Sequence, residues 1–545
     1  MTDRKDVPRE AWDALAHAKA HPFDPSAKGG VEELQTHISR LFLTADRVYK
    51  FRKPVNLGFL DFSSLAERDA DCLREVQLNR RLAPDVYLGV APLTRSDKGW
   101  AIGTVSETLD TEGDTEHCVV MRRLPEGADG LSRLEAGRLD AADLETAALK
   151  LAQFHEANRI SLEALPDGVD WLEAIGRPFE DCLEALERSA CPGVEASRIS
   201  RVRAAAHAWM ATAADRFETR RAAGRAVDGH GDLHLAHLWF EREGEPPLVV
   251  DCVEFSAPLR RIDAASDVAF LAMDLTYRGH GSLAERFLRA YAREADDFTL
   301  YGVVDYFCAY RAAVRAKVAA LAATDAAIPA AQRERAARSA TDHLALAERF
   351  LRRRGPGAAI AMCGVVGSGK SSVAERIADA VRGVVIASDR VRKSSEELGA
   401  RRRSGLPTYA PERIAAVYEA MLERAAPVVE SGRVAILDAT HSETARRGIS
   451  VILVETRCPR DETLARLALR QAAGRDPSDA GPAVYALSVA RFEPPDEWPD
   501  DAHFVVEAGA DPSAGVREIA SRLQGDGSLP RARTRPSPGS CSAIS

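Results

Sequence analysis

The segment Gly364–Ser371, GVVGSGKS, constrains the fold of this chain more than any other stretch. It has the pattern G-x-x-x-x-G-K-[ST], follows the apolar run AAIAMC and precedes residues that favour a helix. Closely spaced glycines let backbone N–H groups close around phosphates, while the lysine adds a point charge and the hydroxyl can hold Mg²⁺. The pattern therefore predicts a strand, a phosphate-binding loop and a helix in succession.

The loop residues are expected to bind a nucleotide, and Ser371 is expected to bind the metal ion as well. The predicted nucleotide-binding residues are Gly364, Gly367, Ser368, Gly369, Lys370 and Ser371. Beyond the loop, strand-like and helical segments alternate, which predicts an α/β domain with a parallel sheet.

Two carboxylates follow strand-like runs in this second half of the chain. Asp389 comes after GVVIAS, and Asp438 ends VAILD. Because ligands of parallel sheets bind beyond the carboxyl ends of the strands, Asp389 could accept a substrate hydroxyl proton and Asp438 could hold Mg²⁺ through water. Arg392 could bind an anionic group of the substrate. The alternative is a helix-capping Asp389 beside a solvated Arg392.

The segment RLALRQAAGR carries Arg466 and Arg470 on one helix face, and Arg470 is predicted to stabilise the transferring phosphoryl group. An exposed basic face is the alternative. Together, GVVGSGKS, SDRVRK, LDAT and these arginines resemble small-molecule P-loop kinases of the gluconate-kinase and zeta-toxin type, over about residues 356–525. In that group the residue matching Asp389 is the usual candidate base. One departure is that only HSETARR is left for a crossover helix after Asp438, which is short for a βαβ unit.

A second set of polar residues lies in the first half, in HGDLHLAH and VVDCVEF. Asp232 is placed to take a substrate hydroxyl proton, and Asp251, at the end of an apolar run, is placed to bind a metal ion. Lys50, in the strand-like VYKFRK, and Glu75, in the helical LREVQLNRR, could pair and aim the amine at nucleotide phosphates. Lys53 remains an alternative to Lys50.

These segments resemble the aminoglycoside-phosphotransferase-like (choline-kinase-like) branch of the protein-kinase fold, over about residues 31–350. More narrowly, HGDLHL, VVDCVEF, DVAFLAMDL and VYKFRKPVNLGFLDF look like bacterial proteins that fuse such a domain to a P-loop kinase. The chain departs from the pattern in two ways: no glycine-rich loop precedes Lys50, and His237 stands where an asparagine is expected. A neutral His237 could bind a metal ion, with Zn²⁺ or Mn²⁺ suiting imidazole better than Mg²⁺, or could hold Asp232. Otherwise one metal site is lost. For His234, packing and a role in the site both stay open.

A chain of 545 residues exceeds what one hydrophobic core supports. The expected fold class is an α+β two-lobed protein-kinase-like domain followed by an α/β P-loop NTPase domain with a parallel sheet. The predicted segments are an N-terminal helical extension (1–30), the kinase-like domain (31–354, with a small lobe of about 31–125 and a large lobe of about 126–354), the P-loop domain (355–525) and a disordered tail (526–545).

The resemblance implies an ATP-dependent, bifunctional phosphotransferase that uses Mg²⁺ and acts on hydroxyls of amino sugars, aminoglycosides or sugar acids. Alternatives are a P-loop kinase or ATPase regulated by a weakly active lobe, and a kinase acting on nucleic-acid ends. The net charge of -9 weighs against a nucleic-acid partner. No apolar run has membrane-span length, and the nine cysteines are scattered, so we expect a cytoplasmic protein without a membrane partner. The oligomeric state stays open. Arg311 and Arg315 share a helix face that could meet an acidic or phosphorylated substrate, but a solvated face is expected.

Overall fold

The structure is a computed structural model, which describes residues 7–56, 60–109, 115–161, 170–352, 354–399, 411–440, 452–473, 482–496, 498–509 and 511–524. The chain divides into two units. The first comprises the residues up to Tyr291 and Tyr306–Leu351, and the second comprises Ala292–Asp305 and the residues from Arg352 onwards. The predicted disordered tail lies outside the described residues, and the predicted domain limits stay a prediction.

An antiparallel six-stranded sheet forms the first part of the first unit, in the order β1-β2-β3-β6-β4-β5. Its strands are β1 (Glu32–Gln35), β2 (Ser39–Leu43), β3 (Arg47–Arg52), β4 (Tyr87–Ser96), β5 (Gly99–Ile102) and β6 (His117–Arg122). The segment THISRLFLTADRVYKFRKPV predicts two strands joined at residues 44–46, and this hairpin is present, because Leu43 pairs with Val48 and Leu41 with Lys50. This sheet agrees with the small lobe of the expected two-lobed α+β fold.

The alternation of RVYKFR in β3 decides which side chains face which layer. Tyr49 and Phe51 enter an apolar cluster with Phe42 and Trp12, a residue of helix α1 (Arg9–Leu15). Lys50 and Arg52 point to the opposite face, where helix α2 (Leu65–Asn79) packs. The sheet therefore carries the N-terminal helix on one face and the charged residues of β3 on the other.

The rest of the first unit is mainly helical. Its helices are α3 (Gly130–Glu135), α4 (Ala141–Ala157), α5 (Trp171–Ser189), α6 (Ala196–Ala222), α7 (Ala257–Arg260), α8 (Ala264–Tyr277), α9 (Gly281–Glu294), α10 (Val304–Thr324) and α11 (Ala330–Leu351); the last residues of α9 and the first of α10 belong to the second unit. Two short antiparallel pairs, β7 (Ala226–Asp228) with β10 (Arg261–Asp263) and β8 (Leu238–Trp239) with β9 (Leu248–Val249), frame the HGDLHLAH loop. Across the described ranges, no helix combines the length and the apolarity that a membrane span requires.

The second unit contains a five-stranded parallel sheet in the order β12-β13-β11-β14-β15, as the alternating pattern predicts. Its strands are β11 (Ala359–Cys363), β12 (Gly383–Ala387), β13 (Val434–Asp438), β14 (Ile452–Arg457) and β15 (His503–Glu507). Its helices are α12 (Lys370–Val381), α13 (Ser388–Gly399), α14 (Pro411–Glu430), α15 (Arg460–Ala473), α16 (Pro482–Ala490) and α17 (Ser513–Gln524). The crossover segment HSETARR lies outside the described residues.

The segment Ala292–Asp305 packs with the second unit although the sequence-based division assigns it to the first domain. Arg424 of α14 makes two hydrogen bonds to the carboxylate of Asp296, at 2.8 and 2.6 Å. Arg433, which is buried just before β13, pairs with Asp305 at 2.9 Å. These paired charges tie a segment distant in sequence to the P-loop unit.

We predict that Trp12→Ala lowers the free energy of unfolding of the first unit by about 3–5 kcal/mol, because the indole is a buried anchor of the N-terminal segment. Trp12 stacks on Phe42 at 6.1 Å and meets Phe51 edge-on at 5.4 Å. Phe23→Ala is the matched control, since Phe23 is 55% exposed. Urea denaturation followed by circular dichroism measures both. Equal losses for the two variants would show that the N-terminal segment does not stabilise the sheet.

Candidate active sites

The first site is organised around Lys50 of β3. Its Nζ lies 2.9 Å from Oε1 of Glu75 on α2 and 3.1 Å from Oδ1 of Asp251. Burial favours the neutral amine, but the carboxylates of Asp251 and Glu75 raise the pKa of Lys50. Lys53 instead donates to the backbone carbonyl of Thr36 at 2.6 Å. The fold thus brings together Lys50, Glu75 and Asp251, and it places Lys53 elsewhere.

Asp251 has a backbone conformation that is uncommon for a residue with a side chain. Its φ of 63° is left-handed, and its N–H donates to the hydroxyl of Tyr87 at 3.1 Å. The carboxylate is half exposed, and the charge of Lys50 holds the pKa of Asp251 below its ordinary value. An ionised, half-exposed carboxylate on a residue with this backbone conformation is suited to binding a cation.

Arg52, two residues after Lys50 on the same face of β3, is the buried centre of the first site. Its guanidinium donates to Asp71 at 2.7 Å, to Glu75 at 2.5 Å, to the hydroxyl of Ser39 at 3.1 Å and to Glu254. One arginine therefore connects two strands, helix α2 and the segment that follows β9. Arg52 and Lys50 both contact the Glu75 carboxylate, so the Arg52 network orients the carboxylate that holds Lys50.

Glu254 is a carboxylate with a strongly altered proton affinity. Burial raises the pKa of Glu254 to about 8, with a further contribution from Glu75 and against the opposing charge of Arg52. Glu254 is three residues beyond Asp251, in the D-x-x-E pattern that the sequence displays. Arg52 was also detectable in the sequence, because residues two apart in a strand share a face.

The HGDLHLAH loop is held by a buried carboxylate on helix α8. Asp267 accepts hydrogen bonds from the backbone N–H groups of His230 and Gly231, at 2.7 and 2.9 Å, and lies 3.0 Å from Nε2 of His155. The His230 ring is fixed as well, since its Nε2 lies 2.9 Å from the carbonyl oxygen of Val250. These contacts hold the His230 ring and the loop backbone in place, and Asp267 supports the loop from helix α8.

Asp232 points towards two histidines of the same loop. One of its carboxylate oxygens lies 3.6 Å from Nε2 of His234 and 3.8 Å from Nδ1 of His237. Burial opposes ionisation, yet the contact with His234 and the nearby His237 lower the pKa of Asp232. Burial also lowers the pKa of His237 to about 4. Across the gap, Nε2 of His237 lies 3.5 Å from Oδ2 of Asp251.

The expectation of a solvated face for Arg311 is wrong. Arg311 is buried, with 3% of its surface exposed, and it donates to the carbonyl of Gly231 at 3.0 Å and to that of Ser266 at 3.1 Å. Its guanidinium also lies 5.1 Å from the ring of Phe270. The reason is that α10 packs within the helical lobe, so that its arginine supports the loop backbone from inside.

The second site is built by the loop between β11 and α12. Gly364, Gly367 and Gly369 have φ values of 137°, 80° and 95°, which side-chain-bearing residues rarely adopt. The amine of Lys370 donates to the loop carbonyls of Gly364 and Val365 at 3.0 and 2.8 Å. The lysine thus lies over its own loop, where a point charge can meet phosphate groups.

The loop between β11 and α12 packs against β14, α15 and α16. The hydroxyl of Ser368 lies 2.7 Å from that of Thr456, at the end of β14, and the N–H of Val366 donates to Ser488 at 3.0 Å. A Cβ on Gly367 would lie 2.9 Å from Leu467 of α15. Thr456 and Ser488 were not among the predicted residues, because neither lies in a recognisable motif.

The parallel sheet brings the remaining predicted residues of this site to one edge. Ala387 of β12 is aligned with Asp438 of β13, and β13 pairs with β11, which leads into the loop. Asp389 lies in the first turn of helix α13, just beyond β12, and Arg392 lies 3.5 Å from its carboxylate. Ser371, at the start of α12, is exposed.

The side chain of Arg470 lies outside the described residues. Its predicted neighbour on α15, Arg466, donates to Glu462 at 2.6 Å and to the carbonyl of Ala508 at 2.8 Å. Arg466 therefore fastens α15 to the segment after β15. The role of Arg470 stays a prediction.

Comparison with known proteins gives one family match within the chain. The family model described as "AAA domain" matches residues 360–495, which supports the predicted P-loop fold of this half. Across most of the chain, the "Uncharacterized protein Rv2004c" of Mycobacterium tuberculosis is 32% identical over 505 residues, which cover 90% of this chain and 94% of that protein.

Solved structures that resemble parts of this chain include the following two. A choline/ethanolamine kinase family protein from Mesorhizobium loti is 16% identical, covers 62% of this chain and 98% of its own, and has a TM-score of 0.34. A gluconokinase from Sinorhizobium meliloti 1021 is 21% identical, covers 31% of this chain and 93% of its own, and has a TM-score of 0.24.

We predict that Glu254 makes the protein less stable as the pH rises from about 5 to 8. In this range the folded protein keeps a proton on Glu254, whose ordinary pKa is 4.5, while the unfolded chain has lost it, so each rise in pH favours unfolding. Glu254→Gln should flatten this part of the profile of unfolding free energy against pH. Glu135→Gln, at an exposed position of α3, should leave the profile unchanged. A Glu254→Gln profile that is as steep as that of the wild type contradicts the prediction.

Proposed function

The chain belongs to the same family as the Mycobacterium tuberculosis protein Rv2004c, and we propose that it is an ATP-dependent phosphotransferase with two sites that phosphorylate hydroxyl groups of small molecules. The observation that carries the proposal is the convergence of Lys50, Glu75 and Asp251, which lie up to 201 residues apart in sequence. A lysine held by a helix glutamate, with a metal-binding aspartate alongside, is how kinase folds orient nucleotide phosphates.

In the first site, Lys50 neutralises phosphate charge and Glu75 holds the amine in place. Asp232 orients the acceptor hydroxyl and takes its proton, since its lowered pKa keeps the carboxylate ionised and able to accept. Asp251 and His237 would hold a divalent cation, which would neutralise charge on the phosphates when bound. Asp267, His230 and Arg311 keep the loop that carries Asp232 in one conformation.

In the second site, the backbone N–H groups of the loop and Lys370 bind the phosphates. Ser371 and Asp438 offer hard oxygen ligands at the loop and at the adjacent strand end, which suits Mg²⁺. Asp389 acts as the base for the acceptor and Arg392 binds an anionic part of it. Carboxylates at strand ends beside a phosphate-binding loop are where an α/β sheet places substrate.

For the acceptors we propose amino sugars, aminoglycosides and sugar acids.

A second candidate function is that the first unit binds nucleotide and regulates the P-loop unit without transferring phosphate. The observation that favours it is His237, whose Nδ1 contacts the Asp232 backbone where an asparagine oxygen is expected. The variants Asp232→Asn and Lys370→Ala, described next, separate the two functions.

We predict that Asp232→Asn and Lys370→Ala each abolish phosphorylation of a different set of acceptors. Loss of the base, or of the phosphate-binding charge, should lower kcat by at least about a hundredfold at its own site. ADP release from ATP is measured across a panel of amino sugars, aminoglycosides and sugar acids, and products are identified by phosphorus NMR. The double variant should be inactive with every acceptor.

The matched control is Asp215→Asn, which removes an exposed carboxylate from α6 and should leave all rates unchanged. If Asp232→Asn retains full activity with every acceptor while Lys370→Ala loses it, the first unit is not a catalyst and the regulatory function stands. If neither variant changes the rate of ADP release, the proposed chemistry is wrong at both sites.

A further inference from the structure

Asp232, His234 and His237 form a group whose potential ligand atoms all lie within 4.8 Å of one another. The rings of His234 and His237 lie 3.8 Å apart, and Asp251 faces the group through Nε2 of His237. Two imidazoles and one carboxylate thus lie together in the first site, with the Asp251 carboxylate beside His237. A loop that only positions Asp232 would not require two histidines beside its carboxylate.

The hydrogen bonding of His237 decides which of its nitrogens is available as a ligand. Nδ1 lies 2.7 Å from the backbone carbonyl oxygen of Asp232. A carbonyl oxygen can only accept, so Nδ1 must carry the hydrogen. In the neutral ring Nε2 then carries a lone pair, and this atom faces Asp251. A histidine whose second nitrogen donates to a carbonyl is the arrangement that orients metal-binding imidazoles.

The spacing of the two facing atoms is close to, and slightly wider than, that of two ligands on one cation. Nε2 of His237 and Oδ2 of Asp251 are 3.5 Å apart. Two ligands at about 2.1 Å from one metal ion lie about 3.0–3.4 Å from each other at octahedral or tetrahedral angles. Without a cation or a proton between them, the lone pair of the ring and the carboxylate charge would repel each other. Oδ1 of Asp251 remains engaged with Lys50, so the carboxylate can serve both.

The type of ligand selects among metal ions. Imidazole nitrogen suits Zn²⁺, Mn²⁺ and related transition metals, whereas Mg²⁺ prefers oxygen ligands and keeps its waters. With His237 and His234 available, the set offers nitrogen and carboxylate oxygen in similar number. The set therefore does not fit a site designed for Mg²⁺ alone.

We propose that His237 and Asp251, with Asp232 and His234 alongside, bind a divalent transition-metal ion in preference to Mg²⁺. Affinity follows the usual order for such ligands, so Zn²⁺ binds more tightly than Mn²⁺ and Mg²⁺ competes poorly. The use of this ion in phosphate transfer rests on the proposed function. Binding of the ion does not depend on that function, because the ligand residues lie together without a nucleotide.

The experiment is a metal titration of the full-length chain, stripped with chelator, in the absence of nucleotide. Isothermal titration calorimetry with ZnCl₂, MnCl₂ and MgCl₂ gives the stoichiometry and affinity for each ion. The wild type should bind one equivalent of Zn²⁺ more than His237→Ala, and loss of the ligand should weaken this binding at least about a hundredfold. The matched control is His37→Ala, which removes an exposed histidine of the same unit and should bind like the wild type.

His237→Asn keeps an amide that can donate to the Asp232 carbonyl and replaces the nitrogen ligand with an oxygen. This variant should lose the Zn²⁺ preference and gain affinity for Mg²⁺ relative to the wild type. Its unfolding midpoint in the presence of chelator, compared with that of the wild type, separates a lost ligand from a damaged fold.

Equal Zn²⁺ binding by the wild type and His237→Ala, or Mg²⁺ binding by the wild type as tight as that of Mn²⁺, overturns the proposal. In that case the gap between His237 and Asp251 is bridged by a proton. Metal binding without phosphorylation of any acceptor would leave this inference intact and remove the proposed function instead.

Discussion

The buried guanidinium of Arg52 is the interaction on which the first site depends. It holds Asp71 and Glu75 of α2 and Glu254 of the segment after β9 at one point, together with the hydroxyl of Ser39. Removing one partner from such a buried network costs about 3–5 kcal/mol, because the remaining charges lose their compensation. The position of Lys50 follows from this network, since Glu75 is shared by both cations.

The two candidate phosphate-binding sites are assembled in different ways. In the P-loop unit the assembly is local: eight consecutive residues supply the backbone N–H groups, the lysine and the hydroxyl, and the positive φ values of the glycines shape the loop. In the first unit the parts come from β3, α2, the HGDLHLAH loop and the segment after β9. Their assembly depends on buried side chains, such as Asp267 and Arg311, that support backbone from behind. Replacing Asp267 or Arg311 with a neutral residue should therefore alter the first site although none of the residues that would bind nucleotide or metal is changed.

Motifs with local physics were readable from the sequence. The strand–loop–helix around Lys370, the hairpin around residue 45 and the parallel sheet all follow from periodicity and glycine spacing, and the structure confirms each of them. Arg52 and Glu254 were missed as members of the site although both lie near recognised residues. Arg311 was assigned to solvent because an arginine on a helix gives no sign of which face packs.

The sequence by itself determined the class of fold of each half, the order of the kinase-like and P-loop halves, and the residue types at both candidate sites, because these depend on interactions between neighbours in the chain. Only the tertiary structure decided that Lys50 and not Lys53 meets Glu75, that Asp251 faces His237, and that Ala292–Asp305 packs with the second unit. Each of these depends on charges that meet across tens to hundreds of residues. Such pairing is set by burial and by the cost of leaving a charge unpaired, and neither quantity is visible in a linear pattern.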